Sequence, residues 1–268
     1  MHIIVCVKLI PDPEAPLHHY RIADSGKKME TVQGVAPVVN PFDENAIEAA
    51  LQLKEAHGGK VTALTVGPKS FQEALKRALR LGADDAVQVD GEGGLGEPAP
   101  QVTAYLLAKA IERIGAYDLV LCGRQAGDWD QGQVGSLTAE CLNIPCVTIV
   151  RHMEVGEEGV MRVQRLAEGG YEVMEMPMPA LLTLSNEINQ PRLTTVAGVL
   201  RATKIKIPVW SRGDIGGDPS LLESLGALTQ MENLYIPEVS KDCQIMEGNT
   251  PEEQAANLVN SLRAQKII

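Results

Sequence analysis

Residues 123–135, GRQAGDWDQGQVG, follow the apolar run YDLVLC and lead into SLTAECLNI, whose pattern predicts a helix. A helix start exposes unpaired N–H groups and a partial positive charge, and both attract phosphate. Gly132 and Gly135 let the backbone approach a ligand with no Cβ in the way. The donors would be the backbone N–H groups of Gly132, Gln133, Val134 and Gly135. No Lys-Ser/Thr pair follows, so this is not a Walker loop and implies no metal-assisted phosphoryl transfer. Asp128 and Asp130 would repel phosphate and are better placed to cap the helix or to bond a ribose or a partner. Taken alone, the loop reads as a structural turn or as a nucleotide site, and both readings stay open.

Other chemistry is sparse. Asn40-Pro41 before a helix is a turn and cap, and the backbone of LTVGP (64–68) is either a plain strand end or a hydrogen-bonding edge for adenine. No Ser/His/Asp or Cys/His spacing marks a nucleophile, so no catalytic residue is assigned. Most acids fall on predicted helix faces, where water solvates them. In RATKIKIP, Arg201, Lys204 and Lys206 cluster in an otherwise acidic chain, as a solvated strand edge or as a docking surface for an acidic partner. Cys6, Cys122, Cys141, Cys146 and Cys243 form no C-x-x-C pair, and four of the five sit in apolar surroundings. They read as free structural thiols of a reducing cytosol. The adjacent His18 and His19 diverge, so no metal site is expected.

The elements that must position the loop follow from periodicity. MHIIVCVKLI, KVTALTVGP, DAVQVD, YDLVLCG and PCVTIVRHMEV read as strands. The near-continuous apolarity of the first suits a parallel sheet covered on both faces. NPFDENAIEAALQLKEAHGG, SFQEALKRALRLGAD, PAPQVTAYLLAKAIERIGAY and GQVGSLTAECLN read as helices, the first with Asp43 as a possible N-cap. The alternation builds βαβ units with right-handed crossovers, hence an α/β doubly wound, mostly parallel sheet. Ligands bind such sheets at the carboxyl ends of the strands, near a topological switch point, where the 123–135 loop lies. Beyond residue 150 the stretch VMRVQRLAEGGYEVMEMPMPALLTLS reads as antiparallel hairpin strands around Gly169-Gly170. A short helical patch and a basic strand follow, then a loop-like stretch over 211–248 suited to wrapping a partner, then a helix from Pro251 with Thr250 as N-cap. The expected division is 1–208, the nucleotide-binding domain with its antiparallel extension, and 209–268, an extended C-terminal arm. The 268 residues are 44% hydrophobic but only 3% aromatic, so the core must be aliphatic. A net charge of −11 excludes a general nucleic-acid binder. No run approaches the ~18 apolar residues of a membrane span, and the N-terminus lacks a signal-peptide pattern, so a cytoplasmic protein is expected.

Seen together, VCVKLIPDPE, VVNPFDENAIEAALQLKE, VTALTVGP, ALRLGADDAVQV, LVLCGRQAGDWDQGQVG, VQRLAEGGYEVMEMPMPALLTL and NQPRLTTVAGVLRATKIKI resemble the β subunit of an electron-transfer flavoprotein over nearly the whole chain. Arg165, Glu168, Gly169, Gly170, Glu172 and Pro179 match the spacing of that family's signature. The resemblance implies a heterodimer with an α subunit that carries FAD, and an adenine nucleotide in this subunit. That nucleotide is AMP in structural members, or a second FAD, reduced by NADH, in electron-bifurcating members. It implies a site near Cys6, Asn40, Val66, Gly123, Asp128, Gln131, Gly132, Gln133, Val134 and Gly135. It also implies docking on an acyl-CoA-type or other flavin dehydrogenase after Pro191, with Val196 as apolar anchor among Arg192, Arg201 and Lys204. Asp128-Trp129-Asp130-Gln131 lacks the hydroxyl that bifurcating members carry, whereas Gln133-Val134-Gly135 and Pro11-Asp12 resemble those members. FAD is the expectation for this subunit and AMP the alternative. A second class shares the βαβ logic, a universal-stress-type homodimer that binds ATP. A yellow complex with a second chain separates the first from a colourless homodimer.

Overall fold

In the computed structural model, which describes residues 1–32, 34–91, 99–229, 231–237 and 243–268, the chain divides into compact units at 1–234 and 235–268. The first unit opens with β1 (His2–Cys6), the short strands β2 (Leu9–Ile10), β3 (Tyr20–Ile22), β4 (Met29–Thr31) and β5 (Val38–Val39), and α1 (Pro41–His57). It continues with β6 (Lys60–Gly67), α2 (Gln72–Leu81), β7 (Asp85–Asp90), α3 (Pro100–Ile114), β8 (Leu119–Gly123) and α4 (Val134–Leu142). Next come β9 (Cys146–Val155), β10 (Val160–Ala167), β11 (Gly170–Pro177), β12 (Ala180–Leu184), α5 (Val196–Ala202), β13 (Val209–Trp210) and α6 (Pro219–Ala227). The second unit contains α7 (Pro251–Ala264), where Thr250 Oγ1 accepts from Glu253 N at 3.2 Å.

Among the described residues a nine-stranded sheet runs β11-β10-β9-β12-β8-β1-β6-β7-β13. Every pairing from β9 to β13 is parallel, and β10 and β11 form an antiparallel hairpin on β9. The fold is therefore α/β and doubly wound with an antiparallel extension. Side chains of β1 alternate between two cores: Ile3 and Val5 pack with α1 and α2, and Ile4 and Cys6 pack with α3 and α4. Both faces are covered, which is why the strand is apolar without a break. From β1 the chain builds outward to β6 and β7, then returns to place β8 on the other side of β1. The switch point lies between β1 and β8, and a cleft opens outside their carboxyl ends.

The structure departs from the sequence reading in four places. Ala180–Leu184, expected among the antiparallel strands, is a fully buried parallel strand between β8 and β9. Only Val209–Trp210 of the expected basic strand pairs with a neighbour, β7, whereas Ile205 and Ile207 merely pack against the core. Residues Pro219–Ala227, expected in a loop-like stretch, form α6, whose Leu222 joins the core under α3. (Residues 230 and 238–242 of the expected loop lie outside the described residues.) Cys6 and Cys122 are buried and Cys146 partly so, but Cys141 is exposed despite its apolar neighbours in sequence, as is Cys243. No described helix is long and apolar enough to cross a membrane.

Candidate functional site

The switch point is held by a buried carboxyl. Asp43 lies in the first turn of α1, where Asn40 takes the N-cap position and Pro41 follows it. Asp43 is therefore not the cap. Its Oδ2 accepts from Lys8 N at 2.8 Å and its Oδ1 from Gly123 N at 3.0 Å, so one side chain ties together the segments leaving β1 and β8. Burial pushes the Asp43 carboxyl up to about 7, against the pull of its bonds from Asn40, Lys8 N and Gly123 N and of the Lys8 charge. Gly123 has to be glycine here, because a Cβ would stand 2.5 Å from Asp43 Oδ1. Asn40, 1% exposed, secures the loop itself: its Nδ2 donates to Gln125 O at 2.8 Å and its Oδ1 accepts from Gly127 N at 3.2 Å.

Beyond that anchor the loop turns back into α4. Asp130 adopts φ 52° and accepts from Gln125 Nε2, and Gly132 adopts φ +62°. Asp128 forms an ion pair with Lys8 at 2.6 Å, its side chain 3% exposed. Neither aspartate caps α4, whose N-cap position is Gln133, with no side-chain bond. The first helical bond runs from Leu137 N to Gln133 O, which leaves the amides of Val134, Gly135 and Ser136 without a helical acceptor. Gly135 lets this first turn sit on β12, since a Cβ there would meet Thr183 Cγ2 at 2.5 Å.

The cleft is lined by Cys6, Asn40, Val66, Gly123, Gln131, Gly132, Gln133, Val134 and Gly135, with the start of α3 opposite. The structure thus brings together the sequence-predicted site residues except Asp128, which sits behind the lining on Lys8. Pro11 and Asp12, expected where a flavin would extend, are not in the lining, and Asp12 is engaged with Glu14 N and the Tyr20 hydroxyl. Two residues of the site escaped the sequence reading. Asp43 falls one and two turns before the buried Ile47 and Ala50, and that spacing places it on the core stripe. Arg124 also lines the cleft, its guanidinium 4.9 Å over the Phe42 ring and its buried Nε without a hydrogen-bond partner among the described residues. Free amides, a glycine with φ > 0 and an under-satisfied guanidinium suit a phosphorylated ligand. No cluster of described His, Cys, Asp and Glu residues suits a metal.

The expected docking residues lie elsewhere, on the loop before α5, on α5 and in the turn after it. Arg192 is bound to Glu48 of α1 at 2.7 Å and also to Glu55, and Arg201 donates to Leu79 O at 2.8 Å. α5 lies so close to α2 that a Cβ at Gly198 would stand 2.1 Å from Arg80 O. On that rigid mount Val196 is 80% exposed, beside the exposed Leu193 and Leu200, and Lys204 is exposed one turn beyond Arg201.

Residues 31–214 match the family described as "Electron transfer flavoprotein domain". The chain is 37% identical to an electron transfer flavoprotein subunit beta of Thermoanaerobacterium thermosaccharolyticum and 35% identical to the Caffeyl-CoA reductase-Etf complex subunit CarD of Acetobacterium woodii, each over 100% of both chains. It is 36% identical to Protein FixA of Bradyrhizobium diazoefficiens over 88% of this chain and 83% of that protein.

Proposed function

The chain belongs to the electron transfer flavoprotein family, as a β subunit, and from that premise we propose that its cleft holds FAD and that it passes electrons between a flavin dehydrogenase and an acceptor. β subunits of this family pair with an α subunit. The full-length family match decides against the universal-stress-type homodimer. The FAD reading is carried by the pairing, in one cleft, of two groups suited to anions: the α4 amides that lack a helical acceptor and the guanidinium of Arg124, whose buried Nε has no partner among the described residues. Two such groups match the two phosphates of a dinucleotide better than the single phosphate of AMP.

In this reading Gly132, Gln133, Val134 and Gly135 supply amides to the diphosphate and Arg124 neutralises it. Val66 and the first turns of α3 exclude water from the adenine side of the cleft. Held there by these residues, FAD would supply hydride acceptance from NADH and single-electron release. The residues of this chain bind and orient it; none is placed as an acid, base or nucleophile. In this reading the α subunit carries its own FAD, an acyl-CoA-type or other flavin dehydrogenase is the electron partner, and the complex works in the cytoplasm. Identification of the nucleotides released when the purified complex is denatured tests the reading.

Val196 is the docking anchor, presented from a helix fixed to α2 and α1. A few anchors carry most of an interface's energy, and disrupting one costs about 1 kcal/mol or more. Val196→Asp should therefore slow electron transfer to the partner dehydrogenase by about tenfold or more, with flavin content unchanged. Stopped-flow reduction of the complex by the dehydrogenase reads this, and an unchanged rate would place the anchor elsewhere.

A further inference from the structure

Two thiols that the proposed function does not use face each other beneath the cleft. β1 and β8 are parallel neighbours in which Ile4 pairs with Val120 and Val5 with Leu121, so Cys6 lies opposite Cys122. Both side chains leave the sheet on the α3/α4 face, and both line the cleft. Adjacent strands run about 4.8 Å apart, within the Cα separation of about 4.4–6.8 Å that a disulfide spans. The facing Cys6 thiol, together with burial, pushes the Cys122 thiol above its usual range.

We propose that Cys6 and Cys122 are a redox modification site, a dithiol that a peroxide closes to a β1–β8 disulfide when the cleft is empty. The Cys6 sulfur attacks hydrogen peroxide: an S–O bond forms, the O–O bond breaks and water leaves, which gives Cys6 sulfenic acid. Cys122 then attacks that sulfur. The S–S bond forms, the S–O bond breaks, and the departing hydroxide leaves as water with the Cys122 proton. Two thiols lose two electrons and two protons, and the peroxide becomes two waters. The cleft is the route by which an oxidant reaches the pair, so a bound nucleotide shields it; that shielding rests on the cleft reading above.

The full chain, stripped of nucleotide, is exposed to hydrogen peroxide with and without added FAD or AMP, then denatured, alkylated and mapped by mass spectrometry. The expected result is a Cys6–Cys122 linked peptide pair that dithiothreitol reverses, and whose formation FAD or AMP slows at least tenfold. Cys6→Ser should abolish the link and leave Cys122 free to alkylate. The proposal is overturned if Cys6 and Cys122 both remain alkylatable after the exposed Cys141 and Cys243 have been oxidised. A link that forms equally fast with and without nucleotide overturns the claim that the site closes in the empty cleft, and with it the placing of the nucleotide over these thiols.

Discussion

Replacement of Gly132 by valine should leave the sheet folded and empty this subunit's nucleotide site, weakening binding by about 100-fold or more. Gly132 sits at φ +62°, where an L residue costs about 1–2 kcal/mol and a β-branched one more. The new Cβ would make only ordinary contact with Arg124 O, at 3.4 Å, so the cost is the backbone strain itself. Relief of that strain rotates the peptide and turns the Gly132 and Gln133 amides away from the ligand. Each lost bond to a charged group costs about 1.5–3 kcal/mol. Two such losses give about 3–6 kcal/mol, and each 1.4 kcal/mol is tenfold. Gly132→Ala isolates the backbone cost and should fall between wild type and valine. Nucleotide content after gel filtration, read beside thermal unfolding, checks both variants. Full occupancy in Gly132→Val would show that the loop does not hold phosphate.

Asp43→Asn should destabilise the chain by about 1–3 kcal/mol and change how its stability depends on pH. The carboxyl accepts two backbone amides, one on each oxygen. An asparagine offers one oxygen, so its NH2 must face either Lys8 N or Gly123 N as a second donor. The pH effect has a definite sign. Asp43 titrates at about 7 in the fold, against about 3.9 in an unfolded chain. The folded state therefore holds this proton more tightly, and the resulting stability is fully present below about pH 4 and is lost as pH rises through 7. The groups around the carboxyl are Asn40, Lys8 and Cys122, and Asn40 cannot titrate. Urea unfolding at pH 5.5 and pH 8 should show the advantage of wild type over Asp43→Asn shrinking at the higher pH. An equal gap at both values would mean that Asp43 is ionised throughout.

The parts of this fold legible in sequence are those decided locally. β1, β6 and β8 are short apolar runs with strand formers, and α1 to α3 carry a helical apolar stripe closed by Gly58, Gly82 and Gly115. Their alternation gave the doubly wound sheet, and the sheet in turn gave the end at which a ligand binds. What depended on distant partners was hidden. Ala180–Leu184 has the composition of a buried parallel strand, but the preceding hairpin pattern runs straight into it, and only its place between β8 and β9 settles its direction. The alternating Lys-Ile-Lys-Ile of 204–207 looks like a strand, yet pairs with no strand among the described residues. α6 did carry a local signal, since Asp218 caps Ser220 N and Pro219 opens the helix, but it was lost among the glycines before it. In the site, the loop glycines were legible because φ > 0 and close approach demand them. Asp43 and Arg124 were not, because burial at a junction of three segments makes them what they are. The Cys6–Cys122 pair requires the β1–β8 register, which no single strand encodes.

The most direct test of the central claim is to denature the purified heterodimer and quantify every nucleotide it releases. FAD in this subunit's cleft predicts two FAD molecules per heterodimer and no AMP. One FAD and one AMP would contradict it, and would make the cleft a scaffold whose nucleotide carries no electrons.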